Sequence, residues 1–102
     1  MHGKLTEIQM SEQALQDIEA ISAWYESQDA WQAAADVPLK ILNAIEEFAL
    51  HPEAGALGVS GNRERVISSV PYRVAYIFDA VFCRVTIYSV THTRRQWPLD
   101  SC

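Results

Sequence analysis

A chain of 102 residues, 49% apolar and 21% charged, with four glycines and four prolines, is the size of one small domain and excludes disorder, collagen-like sequence and repeat arrays. No apolar run is long enough for a membrane span, and the acids and lysine of the first twenty residues do not suit a signal peptide, so one domain over residues 1–102 in the cytoplasm is expected. The net charge of −5 hides an asymmetry: residues 1–62 carry two lysines against ten acids, whereas all six arginines lie in residues 63–102, against three acids. Arginine suits carboxylate and phosphate, so this segregation points to an anionic partner for the second half, or to solvated strand-edge charges.

Residues 4–10 read as a short strand. Ser11 then has the character of a helix N-cap, and Ala14, Leu15, Ile18, Ile21 and Tyr25 form one apolar stripe of a helix from Glu12 to Ser27. A second helix, capped by Asp29, would return antiparallel to the first. Pro38 should kink it near Ala34 or force a restart at Asp36, after which Leu39, Leu42, Ile45, Phe48 and Ala49 rebuild the stripe up to His51-Pro52. Trp24 and Trp31 read as packing of the hairpin, and the helix acids, Asp17 among them, as solvated faces.

Residues 52–62 have loop composition, and their glycines lack the context of a phosphate-binding loop. Three strands follow: Arg63–Ser68, Tyr72–Asp79 and Cys83–Thr91. Their short connections imply antiparallel neighbours. The expected fold is therefore α+β, in the order β-α-α-β-β-β, with a helical hairpin on one face of a small, largely antiparallel sheet.

Alternation predicts which side chains meet the helices. Tyr72, Val74, Tyr76 and Phe78 should be buried, as should Cys83, Val85, Ile87 and Val66. The helix-free face would then gather Arg63, Arg65, Arg73, Arg84, Tyr88 and His92, together with Ile67 and Val90. Such a face suits either an RNA backbone or a protein partner. Two cysteines, Cys83 and Cys102, are too few for a disulfide framework, no metal-ligand spacing occurs, and no cofactor is expected. His2 and His51 have no constellation around them.

Several segments carry a resemblance when taken together. Pro71-Tyr72-Arg73-Val74-Ala75-Tyr76 and Tyr88-Ser89-Val90-Thr91-His92-Thr93-Arg94-Arg95-Gln96-Trp97-Pro98, with Leu15–Ile21, Ile45–Gly55 and Arg63-Glu64 upstream, resemble the RelE/ParE family of type II toxins, or plasmid-stabilisation proteins, over roughly residues 5–98. The resemblance implies a toxin neutralised by a cognate antitoxin. RelE-like members are ribosome-dependent messenger-RNA endonucleases, and on that branch His92 would be the base with Arg73 and Arg65 on phosphate. ParE-like members are associated with poisoning of DNA gyrase. The His-x-Arg-Arg-x-aromatic-Pro ending is the ParE-like form, and an acidic chain with two lysines is poorly suited to a site lined by RNA. The nearer branch is therefore ParE-like, a binding inhibitor, with neither sequence-specific DNA binding nor membrane attachment expected. Target contacts would come from Arg73, Arg84, Tyr88, His92, Arg94, Arg95 and Trp97, and antitoxin contacts from Arg63, Arg65 and Arg73. A non-toxic binding module of the same fold is the remaining alternative.

Overall fold

In the computed structural model, residues 6–58 and 61–94 are described. The elements are β1 (Glu7–Met10), α1 (Glu12–Ser27), α2 (Trp31–Leu50), β2 (Ala56–Leu57), β3 (Arg63–Val66), β4 (Tyr72–Asp79) and β5 (Arg84–His92). They form one sheet in the order β1-β5-β4-β3-β2, in which β1 runs parallel to β5 and the other pairs are antiparallel. Both helices pack on one face of it. The α+β expectation holds, with the two-residue edge strand β2 added inside the segment expected to be loop.

Local chemistry explains most of the boundaries. Ser11 Oγ accepts the Ala14 N–H at 3.0 Å and starts α1 as anticipated. Asp29 does not cap α2. It sits in the left-handed region at φ 59, where a short polar side chain is tolerated, and the Ala30 N–H donates back to the Tyr25 carbonyl at 2.9 Å, so Asp29 ends α1 instead. Ala30 occupies the N-cap of α2 with no side-chain bond.

Pro38 neither breaks nor restarts α2, which runs unbroken from Trp31 to Leu50. Proline cannot donate to the carbonyl four residues earlier, that of Ala34. Ser22 Oγ on α1 donates to that carbonyl at 3.0 Å, so the acceptor freed by proline is satisfied from the neighbouring helix.

The core is built from Ile21, Val37, Ile41, Ile45 and Phe48 on the helices against Val74, Tyr76, Val85, Ile87 and Val90 on the sheet. The buried stripe of α2 thus runs through Val37 and Ile41 rather than through Leu39 and Leu42, which are exposed, as is Leu15 on α1. Trp24 and Trp31 are also more than half exposed, at 56% and 63%, and are not the packing expected of them. Tyr72, Val74 and Tyr76 are buried as the alternation of β4 requires, and Phe78 packs partly buried beside them.

Candidate functional site

The arginines do not gather on one face. In β3, Arg63 and Arg65 lie opposite Tyr76 and Val74, the helix-side residues of β4, and so share their side of the sheet. The reason is a one-residue choice of register: the sheet buries Ile67 and leaves Val66 62% exposed, and with a period of two every neighbour in β3 changes side with it. Arg65 lies over the Phe48 ring of α2, 4.2 Å from its centroid, and its Nη1 is buried without a hydrogen-bond partner. Arg63 Nη1 donates to the carbonyls of Glu53 and Gly55, each at 3.0 Å, and fastens the α2–β2 connection to the sheet. Gly55 is required there, because a Cβ would stand 2.5 Å from Tyr76 Oη and 3.0 Å from Arg65 Cγ.

Arg73 and Arg84 do face away from the helices, but each meets a carboxylate. Arg73 lies 3.5 Å from Glu64, and Arg84 Nε donates to Glu7 at 3.2 Å. Arg73 Nη2 also donates to the Thr93 carbonyl at 3.3 Å, tying the middle of the sheet to the turn that follows β5. This face is one of compensated charge rather than an arginine-rich surface.

The end of β5 holds the largest departure from simple alternation. A bulge between Ala75 and Tyr76 pairings sets Tyr76 opposite Ile87 and Ala75 opposite Ser89, leaving Tyr88 as the extra residue. Tyr88 is 43% exposed, and beyond it the parity reverses, so Val90, expected on the open face, is buried at 3%. His92 follows Val90 to the helix side. Its ring meets Tyr72 edge to face at 5.2 Å between centroids, and its Nδ1 accepts the Arg94 N–H at 3.0 Å.

α1 and its N-cap close the outer edge of β5 beyond the end of β1. Ser11 Oγ donates to the Tyr88 carbonyl at 3.0 Å, and Asp17 Oδ2 accepts the Val90 N–H at 2.9 Å. Asp17 is therefore a fastener between helix and sheet and not part of a solvated face. Its position on the flank of the apolar stripe, between Ala14 and Ile21, is the signal that sequence reading passed over. The result is a groove of about 470 Å³ between α1 and the end of β5, where Asp17, Trp24, Tyr72, His92 and Arg94 meet. A second groove, of about 810 Å³, lies between α2 and β3 and takes in Lys40, Phe48, Arg65, Val66 and Ser68.

The three residues of a ribonuclease reading are thus not brought together. Arg73 is on the open face beside Glu64, while Arg65 and His92 are on the helix side, in the α2 groove and the α1 groove respectively. Arg95, Trp97 and Cys102, and the start of the expected first strand, lie outside the described residues. Among the described residues no group of three histidine, cysteine or carboxylate side chains could hold a metal ion, and no helix is long and apolar enough to cross a membrane.

Two helices on one face of a five-stranded mixed sheet define a small α+β fold. The sequence model of the ParE toxin of type II toxin-antitoxin systems, parDE, matches residues 8–97, and the chain belongs to that family. Its fold is similar to a chain of the chromosomal ParDE toxin-antitoxin system from P. aeruginosa, with a TM-score of 0.76 at 15% identity over 88% of this chain and 98% of that one. It is also similar to the isolated E. coli RelE toxin, with a TM-score of 0.64 at 19% identity over 90% and 88% of the two chains. A chain of the intact E. coli RelBE toxin-antitoxin complex gives 0.63 at 17% identity over 88% and 99%. No curated protein sequence matches the chain.

Proposed function

We propose that this toxin inhibits growth by binding DNA gyrase rather than by cutting RNA, and that a cognate antitoxin, normally encoded beside it, neutralises it. The separation of Arg73 from His92 on opposite faces of the sheet carries this reading. Cleavage at an RNA phosphate needs a base and its cationic stabilisers around one phosphate, and Arg73 here is engaged by Glu64 and the Thr93 carbonyl. The acidic net charge supports the same choice.

Target binding is assigned to the ending of β5: Tyr88 on its bulge, His92 and Arg94 at the α1 groove, and Arg95 and Trp97 beyond. Trp24, exposed in that groove, adds an aromatic contact. Arg73 acts through the Thr93 carbonyl as a positioning residue, and Arg84 supplies a cation on the open face.

The antitoxin is assigned to the α2–β3 groove. There the edge of β3 extends past β2, since Ala56 and Leu57 pair only with Glu64 and Arg63, and the backbone groups of Val66 remain open for strand addition. Arg65, which lines this groove over the Phe48 ring, suits an acidic segment that folds on binding, with Arg63 beside it and Arg73 on the reverse face.

Induction of the chain in cells that lack its antitoxin tests the reading. Early DNA-damage signalling with intact transcripts is expected. Prompt codon-phased cleavage of messenger RNA on translating ribosomes would replace it with the ribonuclease alternative, and unimpaired growth would replace it with a non-toxic binding module.

A further inference from the structure

The groove between α1 and the end of β5 brings one carboxylate together with several aromatic rings. Its floor is apolar, made by the buried Ile21 and Val90. Trp24, more than half exposed, lines it with Tyr72 and His92, whose rings meet edge to face. Asp17 lines it from α1 and is half-buried. The β4–β5 turn, where Cys83 sits at φ 54 before the strand rather than buried within it, lies at the opposite end of β5 and takes no part.

Asp17 is held in place but not neutralised. Its Oδ1 accepts from Gln13 Nε2 at 2.8 Å and its Oδ2 from the Val90 N–H at 2.9 Å, and both donors are uncharged. A carboxylate offers about four acceptor positions, so each oxygen can take a further donor. Among the described residues the ion pairs are Arg73–Glu64 and Arg84–Glu7, and the cation–ring contacts are Arg65–Phe48 and Arg84–Phe82, all of them outside this groove. Arg94, which also lines the groove, is exposed and takes part in neither kind of contact. Carboxylate and rings thus stand together with no cation between them.

We propose that this groove receives an arginine side chain presented by the target protein, its guanidinium lying against the Trp24 ring and donating to Asp17. The inference rests on the assignment of this groove to target binding and names the chemistry recognised there. A planar guanidinium stacks on an aromatic face and donates to a carboxylate at its edge at the same time, which the compact ammonium of lysine does less well. A groove of about 470 Å³ has room for one such side chain. Nucleic acid would bring its phosphates toward the Asp17 carboxylate, where like charges repel. A purely apolar side chain would strip water from that carboxylate and give nothing in return. The group recognised at this point therefore belongs to a protein.

The test is an NMR titration of the purified full chain with N-acetyl-arginine methylamide and with its citrulline counterpart, in which an uncharged urea replaces the guanidinium. The arginine compound is expected to shift the Trp24 indole and the His92 amide saturably, with a Kd of roughly 1–10 mM, and the citrulline compound to bind at least about fivefold more weakly. Asp17→Asn, which keeps an acceptor for the Val90 N–H, and Trp24→Leu, which changes an exposed side chain, should each weaken the arginine compound at least about threefold while the rest of the spectrum is unchanged. Equal binding of the two compounds overturns the proposal, as does unchanged affinity in Asp17→Asn. An Arg95→Ala chain that binds the probe much more tightly than wild type overturns it too, because the groove would then hold this chain's own arginine. No target is present in the titration, so the two readings fail separately. A chain that provokes DNA-damage signalling yet ignores the probe loses this inference and keeps the gyrase reading; one that binds the probe through its charge yet cleaves messenger RNA does the reverse.

Discussion

Ser22 and Ala34 are joined by a hydrogen bond that exists because of a third residue. The Ser22 hydroxyl donates at 3.0 Å to the carbonyl that Pro38 cannot reach as a donor, and this lets α2 continue through a proline. Ser22→Ala should cost about 1–2 kcal/mol, the penalty of leaving a part-buried acceptor without a partner. In a Pro38→Ala background, the restored backbone N–H satisfies Ala34 and the same change should cost much less. Denaturant unfolding of the four chains measures this coupling, and equal costs in both backgrounds would refute it.

Asp17 plays the corresponding role between helix and sheet. Because it accepts the N–H of the buried Val90, Asp17→Ala should cost about 1.5–3 kcal/mol, whereas Asp17→Asn keeps an acceptor and should cost less. Hydrogen exchange at the Val90 amide is the direct readout. Exchange that is unchanged in Asp17→Ala would mean that the carboxylate does not hold the strand.

Tyr72 should make the fold lose stability as the solution turns alkaline. Burial first, then the hydrogen bond with Tyr25, pushes its phenol well above the ordinary value of 10.0. Below that pH the phenol is protonated in both folded and unfolded chains, and its contribution is constant. As pH rises past it, the unfolded chain loses the proton while the folded one keeps it, so stability falls. Urea midpoints between about pH 9 and about pH 11 should therefore drop in the wild type and drop less in Tyr72→Phe. Identical slopes in the two proteins would show that another group is responsible.

The ending after β5 should separate function from folding. Arg94 is exposed, and truncating exposed side chains usually changes stability by less than about 0.5 kcal/mol. Arg94→Ala combined with Trp97→Ala is expected to leave the domain folded and bound by antitoxin while growth inhibition is lost. His92→Ala removes the edge contact with Tyr72 and should soften toxicity only modestly, whereas a general base would cost about 10²–10⁴-fold. A fully toxic Arg94/Trp97 variant beside an inert, well-folded His92→Ala chain would reverse the gyrase assignment.

Composition, periodicity and capping determined by themselves the class of fold, the first helix with its Ser11 cap, the presence of a second helix and the helix-facing set of β4, because these depend on local propensity and on the period of apolar residues, whereas the cap of α2, its passage through Pro38 and its buried stripe did not follow from them. The resemblance around Tyr72-Arg73 and in the ending from Tyr88 to Pro98 was also legible in the chain, and so was the family. What only the tertiary structure decided was that Arg63, Arg65 and His92 fall on the helix side of the sheet, while Arg73 and Arg84 stayed on the open face as alternation predicts. In β3 the choice of Ile67 over Val66 as the buried residue moved Arg63 and Arg65 to the helices, and in β5 one extra residue at Tyr88 carried Val90 and His92 across. Alternation has no memory of register: a single slip or bulge reverses every later side chain, and its position is set by pairing with distant strands. The same holds for Asp17 and Ser22, whose partners lie 73 and 12 residues away along the chain and become neighbours only when α1 packs against β5 and α2.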